Sequence, residues 1–570
     1  MYKDVYYEWL NSDVLEGFEK AELKGIEGDE KEIEYRFGKD LEFGTAGMRG
    51  IIGLGTNMIN VYTVKRATQG LAEYIKTLGK CAVKSGVAIS YDTRRLSREF
   101  AKVAAYTLSS NGIKAYLYDN CRPVPMLSFA VRKLKCTAGI MITASHNPKE
   151  YNGYKVYGRD GAQMSPEATA EVVKFINAIE SPLSDKILFN DGAKKHVKTI
   201  GGGLDKKYYR RIRKLILSPK EIKAMGKKVR PVYTPVHGSG YVPVMHVLRT
   251  LGIEPYVVKE QINPDAEFST VKVPNPEFKE TLSLGISLAE ENKADMVFGT
   301  DPDCDRLGVA VRNDKGEFIA LSGNETGILL TEYILGRLKE KGKLGKNGFL
   351  VKSFVTTGLI KKIADDYGVE LFDVPVGFKY IGEKIKQYDD TGKKNFLFGF
   401  EESCGYLRGT HARDKDAVVA SMLFAEMFCY YAYHGVSVYG KLQEIYAKYG
   451  YVFDTSVSTD YKGLNAMKEM NAVVDSMKTA KFWTVGGEDV VSIRDYSSLK
   501  RETCDGKTED IDCSKVNALY YELKDGSFVC LRPSGTEPKL KTYYSVAGKD
   551  DIKAKERFLK IKADFESKLR

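Results

Sequence analysis

Short apolar runs closed by polar loops recur along roughly the first three-quarters of the chain, with amphipathic stretches between them. The clearest runs are 87–91 (VAISY), 138–142 (AGIMI), 294–299 (ADMVFG), 349–354 (FLVKSF) and 396–400 (FLFGF). Runs of this length, apolar on both faces, predict strands buried in a largely parallel sheet; the periodic stretches, such as 61–78 and 417–432, predict the helices that cover it. From about residue 451 the segments become shorter and alternate, with polar loops between them, as expected for a small α+β domain. The pattern therefore predicts an α/β protein in which three similar αβ domains and a smaller α+β C-terminal domain surround a central cleft. The expected divisions are 1–215, 216–340, 341–450 and 451–570. Tyr7, Trp9, Leu10, Val14, Leu15, Phe18 and Leu23 recur at helical spacing, so the first forty residues are expected to form an amphipathic helix packed on the body. Residues 185–227 are lysine-rich and read as a connection followed by a basic helix.

Length and composition sharpen this picture without changing it. A chain of 570 residues is too long for one hydrophobic core, and 43% apolar with 29% charged residues is ordinary for a globular protein. No apolar run reaches 18 residues and no basic start precedes an apolar core, so neither a membrane span nor a signal peptide is expected. Nine cysteines without CxxC spacing fit a reducing compartment, with the cytoplasm as the default. The net charge of +11 comes from lysines interleaved with Asp and Glu. That texture points to a solvated surface, part of it lining a site for anionic small molecules, rather than to nucleic acid.

The chemistry lies in the loops that follow the predicted strands. Residues 143–148 (TASHNP) directly follow the run 138–142, which puts Ser145 at the carboxyl end of a strand, where open α/β sheets bind ligands. Ser145 is the candidate nucleophile, against the plain alternative of a turn residue. Residues 44–50 (GTAGMRG) read as a glycine-rich loop whose backbone can approach a phosphate while Arg49 supplies charge. Lys155 returns close in sequence to Ser145, and residues 92–95 (DTRR) form a loop that belongs either to the surface or to the site. Asp301, Asp303 and Asp305, at i, i+2 and i+4 in DPDCDR, can converge their oxygens on one hard divalent cation. An EF-hand does not fit, because its sixth and twelfth positions would be Arg306 and Arg312. Three protein ligands would leave Mg²⁺ open positions for a phosphoryl oxygen. Further on, Lys379 sits in the loop 377–380, and Glu401 and Ser403 in GFEESCGY can meet vicinal sugar hydroxyls or simply cap a helix. Arg532, Ser534 and Thr536, with the backbone at Gly535, fit a phosphate-binding nest in RPSGTEPK.

Taken together, GTAGMRG, TASHNP, DPDCDR, GFEESCGY and RPSGTEPK, in this order from about Phe43 to Lys541, resemble the α-D-phosphohexomutase superfamily, on its phosphoglucomutase and phosphopentomutase branch. The resemblance implies a four-domain phospho-sugar mutase that carries phosphate on Ser145 and holds one Mg²⁺ on Asp301, Asp303, Asp305 and the Ser145 group. It implies sugar contacts from Glu401 and Ser403 and a phosphate clamp of Arg532, Ser534 and Thr536. Lys415, in RDKD, resembles a proton-transfer lysine, and His146, Lys155, Arg49 and Arg306 fall where active-site partners are expected. The implied reaction interconverts sugar 1-phosphate and 6-phosphate, with glucose the leading sugar, through a sugar 1,6-bisphosphate that also serves as primer. Phosphopentomutase, phosphomannomutase and glucose 1,6-bisphosphate synthase activities stay open, as do a monomer or a homodimer. The alternative from another class is a Mg²⁺-dependent sugar phosphatase with Asp301 as nucleophile.

Overall fold

The computed structural model describes residues 2–44, 47–462, 465–534 and 538–569. The chain forms two compact units: Met1–Ala320 with Ile385–Gln387 and Gly405–Tyr433, and Leu321–Lys384 with Tyr388–Cys404 and His434–Arg570.

The first unit opens with a layer of three short helices, Tyr2–Asn11, Gly17–Lys24 and Glu30–Phe37, where one helix was expected. Local capping divides them. Glu16 and Glu19 form a capping box at the second helix, and the Asp29 side chain accepts from the Glu32 N–H at the third. Tyr6, Trp9, Leu15, Leu23, Ile33 and Phe37 make a small core against Leu54 and Tyr62. Because the helices change direction, Tyr7, Val14 and Phe18, expected on the buried stripe, face solvent instead.

Behind this layer lies a seven-stranded sheet in the order Phe43–Gly44, Gly47–Ile51, Tyr151–Tyr157, Ala138–Ile142, Val87–Tyr91, Ala115–Tyr118, Val197–Ile200. The four strands from Ala138–Ile142 to Val197–Ile200 run parallel, and the other three pair antiparallel. The two central strands, Val87–Tyr91 and Ala138–Ile142, are buried along their whole length, as their apolar sequences require. Residues 44–50, expected as a loop, belong largely to an antiparallel hairpin, so Arg49 stands on a strand opposite Gly153. Gly47 makes the hairpin possible: it has φ +97°, and a Cβ there would lie 2.0 Å from the Tyr154 carbonyl oxygen. The lysine-rich connection contributes the edge strand Val197–Ile200 before its helix, Gly202–Arg213.

The second sheet of this unit centres on Met296–Thr300, parallel to Pro231–Thr234 and antiparallel to Leu307–Arg312. Helix Ala417–Tyr433 is apolar nearly all round and is buried accordingly. Its one buried acid, Glu426, accepts hydrogen bonds from the backbone N–H groups of Leu217 and Ser218.

The second unit holds Gly348–Ser353 between the parallel strands Glu370–Val374 and Asn395–Glu401. An antiparallel sheet follows in the order Tyr451–Asp460, Lys539–Gly548, Phe528–Pro533, Leu519–Leu523, Glu488–Asp495, Lys500–Thr503, Thr508–Asp510. Helices Ala466–Ala480 and Asp551–Lys568 supply Met470, Val474, Ile561 and Phe565 to its core. The change of texture read at residue 451 is thus a change from parallel to antiparallel pairing.

Candidate active site

Ser145 lies three residues beyond the end of the buried strand Ala138–Ile142. Its backbone N–H donates to Thr143 Oγ1 at 2.8 Å, and its φ of 54° places it in the left-handed region. Such a conformation costs a non-glycine residue on the order of 1–3 kcal/mol and needs support from its surroundings. Arg94 provides it. The buried guanidinium donates to the carbonyl oxygens of Ser145 at 2.6 Å, Pro148 at 2.8 Å, Tyr151 at 3.1 Å and also Asn147, and it pairs with Asp92 at 3.3 Å. The loop is thus folded around a single cation.

The aspartate loop connects two antiparallel strands, Met296–Thr300 and Leu307–Arg312. Asp301 Oδ1 accepts the N–H groups of Asp305 at 3.0 Å and Arg306 at 2.9 Å, while Cys304 takes φ 51°. The side chains of the two loops meet. Ser145 Oγ lies 3.2 Å from Asp301 Oδ2 and 3.2 Å from His146 Nδ1. Thr143 Oγ1 donates to Asp303 Oδ2 at 3.2 Å, and Lys155 Nζ, carried on the returning strand, donates to the same oxygen at 3.0 Å. Lys415 Nζ lies 3.1 Å from Asp305 Oδ2 and 3.8 Å from Asp414. Gly405 leaves room for that lysine, since a Cβ there would sit 2.1 Å from Lys415 Cδ.

One oxygen from each of Asp301, Asp303 and Asp305 lies within 4.8 Å of the others, and all three residues are buried. Asp303 Oδ1 and Asp305 Oδ1 are enclosed without a hydrogen-bond partner. Burial, and then the charges of the neighbouring aspartates, push the Asp301 carboxyl well above the usual carboxylate range, and Asp305 is raised for the same reasons. At Asp303 burial acts in the same direction but is outweighed, chiefly by Lys155, and the carboxyl is held low. Enclosed, mutually repelling oxygens with unused lone pairs suit a divalent cation; the donor set is all oxygen, as a hard ion prefers. Burial, with Arg306 and Arg49 nearby, pushes the His146 imidazole well below its ordinary value, so the ring is neutral.

The remaining candidates in this unit, Arg49 and Arg306, border the two loops. Arg49 donates to Asn147 Oδ1 at 2.8 Å, and Arg306 pairs with Glu277. In the second unit, Glu401 Oε1 accepts the Gly377 N–H at 2.6 Å. Lys379, expected in a loop, is in the first turn of helix Phe378–Thr391, with its Nζ 4.8 Å from the Tyr380 ring centre. Ser403 follows Glu401 in a turn, while Glu402 accepts from Ser353 Oγ at 3.0 Å and Thr356 Oγ1 at 3.2 Å. Arg532 is the penultimate residue of strand Phe528–Pro533, opposite Lys541, and the Ser534 N–H donates to the Lys539 carbonyl at 2.8 Å. Gly535 and Thr536 lie outside the described residues.

Sequence reasoning missed the weight of Arg94 and the hydroxyl of Thr143. An Asp-x-Arg at the end of a central parallel strand was the available signal. It also passed over a buried network in which Tyr157 donates to Asp414 at 2.9 Å and Tyr208 donates to Asp416 at 2.8 Å, with His411 at 2.8 Å from Asp416.

Comparison with known proteins gives this arrangement its class. Three segments match the phosphoglucomutase/phosphomannomutase alpha/beta/alpha domains: domain I over residues 40–183, domain II over 206–316 and domain III over 322–449. The chain is 38% identical over 516 residues to the phosphoglucomutase of Staphylococcus haemolyticus, covering 90% of this chain and 91% of that one. It is 35% identical over 548 residues to the phosphoglucomutase of Staphylococcus saprophyticus, covering 95% and 96%. Among solved structures, a phosphoglucomutase/phosphomannomutase family protein from Burkholderia thailandensis shares the fold with a TM-score of 0.67 at 18% identity, over 92% of this chain and 96% of that one. The parafusin phosphoglucomutase of Paramecium does so with 0.66 at 19%, over 93% and 94%. The chain belongs to the phosphoglucomutase/phosphomannomutase family of the α-D-phosphohexomutase superfamily and is an isomerase of the phosphohexomutase type. Among the described residues no helix is long and apolar enough to cross a membrane.

Proposed function

We propose that this enzyme interconverts α-D-glucose 1-phosphate and glucose 6-phosphate through a phosphorylated Ser145. The observation that carries the reading is the approach of Ser145 Oγ to 3.2 Å from Asp301 Oδ2, at the edge of three buried aspartates and beside Lys155. Asp301, Asp303, Asp305 and the Ser145 phosphate would hold one Mg²⁺ per chain, which when bound supplies positive charge to the phosphoryl oxygens. The residues do the rest by positioning. Arg94 and Thr143 fix the serine backbone, and Lys155, Arg49 and Arg306 add charge around the phosphoryl group. Neutral His146 adds none.

In the forward direction the sugar O6 hydroxyl attacks phosphorus. The O6–P bond forms, the Ser145 Oγ–P bond breaks, and Lys415, in its neutral form, takes the O6 proton. The 1,6-bisphosphate then turns over, and the serine oxygen, holding the electron pair of the broken bond, attacks its 1-phosphate: the Oγ–P bond re-forms, the O1–P bond breaks and O1 takes the proton held by Lys415, so the same bisphosphate serves as primer. We assign Glu401, Ser403 and Lys379 to the sugar, and Arg532, Ser534, Gly535 and Thr536 to the phosphate that is not transferred. One such loop would then fall in each of the divisions 1–215, 216–340, 341–450 and 451–570. Nine free cysteines accord with the cytoplasm as its compartment.

The test is a coupled assay of glucose 1-phosphate, with mannose, glucosamine, ribose and deoxyribose 1-phosphates alongside, primed by glucose 1,6-bisphosphate. Phosphate mapping of Ser145 accompanies it. Glucose turnover with phosphate on Ser145 is expected. Release of inorganic phosphate without isomerisation, retained by Ser145→Ala, would instead establish the phosphatase with Asp301 as nucleophile.

A further inference from the structure

The positive charge of this chain is concentrated, contrary to the even spread expected from its interleaved lysines. Residues 206–230 hold eleven Lys and Arg against one Glu, a net +10 within a chain of net +11. The opposite bias stands at residues 2–34, where eleven Asp and Glu face four Lys, a net −7.

Both segments form surface layers of the first unit. The basic one folds as helices Gly202–Arg213 and Pro219–Met225, which with helix Tyr241–Thr250 border three adjoining hollows of about 380, 560 and 450 Å³. Arg213, Ile216, Thr250 and Leu251 wall two of them at once, so the hollows form one groove. Its lining joins apolar groups to cations such as Lys206, Arg210 and Lys223, and no carboxylate lines it among the described residues. The acidic layer has the converse character. Phe18 is 70% exposed, Val14 54% and Tyr7 48%, each amid carboxylates. Single exposed apolar residues are ordinary, but three on one strongly acidic layer match a groove that is apolar between basic walls.

We propose that the acidic N-terminal layer of one copy seats in the basic groove of a second copy. The product is a closed two-fold homodimer in which the contact is made twice. A two-fold axis lets each patch find its complement within the pair; the same contact without that axis would run on into a filament. Phe18 and Val14 enter the hollows, and the opposed charges steer the encounter and fix its register.

The experiment is sedimentation velocity on the full chain over a concentration series at low and high salt. A dimer is expected, with its dissociation constant raised at least about tenfold by a tenfold rise in salt, since the charges lie at the surface. Phe18→Glu on the acidic layer, or Arg210→Glu with Arg213→Glu in the groove, should each give monomers with unchanged thermal unfolding. Val14→Lys serves as a second acidic-layer variant. Mixing Phe18→Glu with the groove variant should restore a one-to-one heterodimer, because one of its two contacts is intact. A wild-type monomer at every concentration, or a dimer indifferent to both variants, would overturn the proposal. So would a monomer whose groove variant loses only heparin binding, which would give the groove to a polyanion.

Discussion

The serine loop and the aspartate loop are built alike and stabilised in opposite ways. Each follows a buried strand, returns on an antiparallel partner and holds one non-glycine residue in the left-handed region, Ser145 in one and Cys304 in the other. The serine loop spends its backbone carbonyls on one buried cation, Arg94, whose charge is met in turn by Asp92. The aspartate loop brings three carboxylates together against Lys155 and Lys415 and leaves two enclosed oxygens without a hydrogen bond. A carbonyl shell and one carboxylate around a guanidinium bring opposite charges together, whereas adjacent buried carboxylates repel until a cation joins them. The first loop therefore carries its counter-charge within the chain, and the second is a receptor that stays electrostatically incomplete without its ion.

The largest effect should come from Ser145, the proposed nucleophile. Ser145→Ala keeps the loop, because Arg94 binds backbone carbonyls, but removes the oxygen that would carry phosphate. We expect mutase turnover to fall by at least about a thousandfold with thermal unfolding essentially unchanged. Steady-state kinetics and calorimetry on the same preparation check this; a large loss of stability would contradict a self-sufficient loop.

The aspartate loop should respond in the opposite sense. Asp301→Asn retains the oxygen that accepts the Asp305 and Arg306 N–H groups while removing a carboxyl whose charged form burial and its neighbours disfavour. Without metal, the variant should be at least as stable as the parent. Its kcat should nonetheless fall on the order of a hundred- to a thousandfold, as when charge stabilisation is lost from a transition state. Mg²⁺ at about a hundred times its dissociation constant should stabilise the parent by about 2.7 kcal/mol and the variant much less. Thermal shift with and without chelator reads both; equal Mg²⁺ shifts would remove the metal from this loop.

A smaller loss is expected where the group binds the phosphate that does not react. Arg532→Ala removes a fork capable of two charge-assisted hydrogen bonds, which is worth about 1.5–3 kcal/mol, or roughly ten- to a hundredfold in kcat/KM. Both substrate directions should suffer alike, and kinetics from glucose 1-phosphate and from glucose 6-phosphate check it.

The contrast between the loops also explains what could be read from sequence. Short apolar runs located the strands well: 87–91 and 138–142 match the observed strands residue for residue, because strands buried on both faces must be apolar throughout. The aspartate cluster was legible for a related reason, since its chemistry is local and its spacing puts three carboxylates on one tight turn. Arg94 was not. Its role depends on carbonyls some fifty residues away, and its one local sign, an Asp two positions before it at a strand end, is shared by surface arginines. The three N-terminal helices were missed because helical periodicity ran on across capped breaks, so Phe18 was placed on a face that points to solvent. Residues 44–50 looked like a loop because glycines are loop residues, yet here they let a hairpin approach Tyr154.

The smallest expected effect tests whether an isolated enclosed acid needs a metal. Asp454 lies on strand Tyr451–Asp460 in the second unit, with its Oδ1 enclosed and without a hydrogen-bond partner. Burial pushes its carboxyl up to about 6, against hydrogen bonds from Ser545 and Thr357 and the charge of Lys352, while Glu325 adds to the rise. Among the described residues, no second and third carboxylate converge with it as they do in the aspartate loop. A raised folded-state value means that the folded protein holds the proton more tightly than the unfolded chain. The penalty is therefore absent below about pH 4, grows between about pH 4 and 6, and stays constant above. Asp454→Asn should stabilise the protein by about 1–2 kcal/mol at pH 7 and by almost nothing at pH 4, the figure being kept below the full linkage value because the residue is only partly covered. Its Mg²⁺-induced shift should equal that of the parent. Urea unfolding at pH 4 and pH 7, with and without Mg²⁺, reads all four quantities. A variant that loses the Mg²⁺ shift would mean that the metal acts in the second unit as well, and the need for an ion would no longer belong to the aspartate loop.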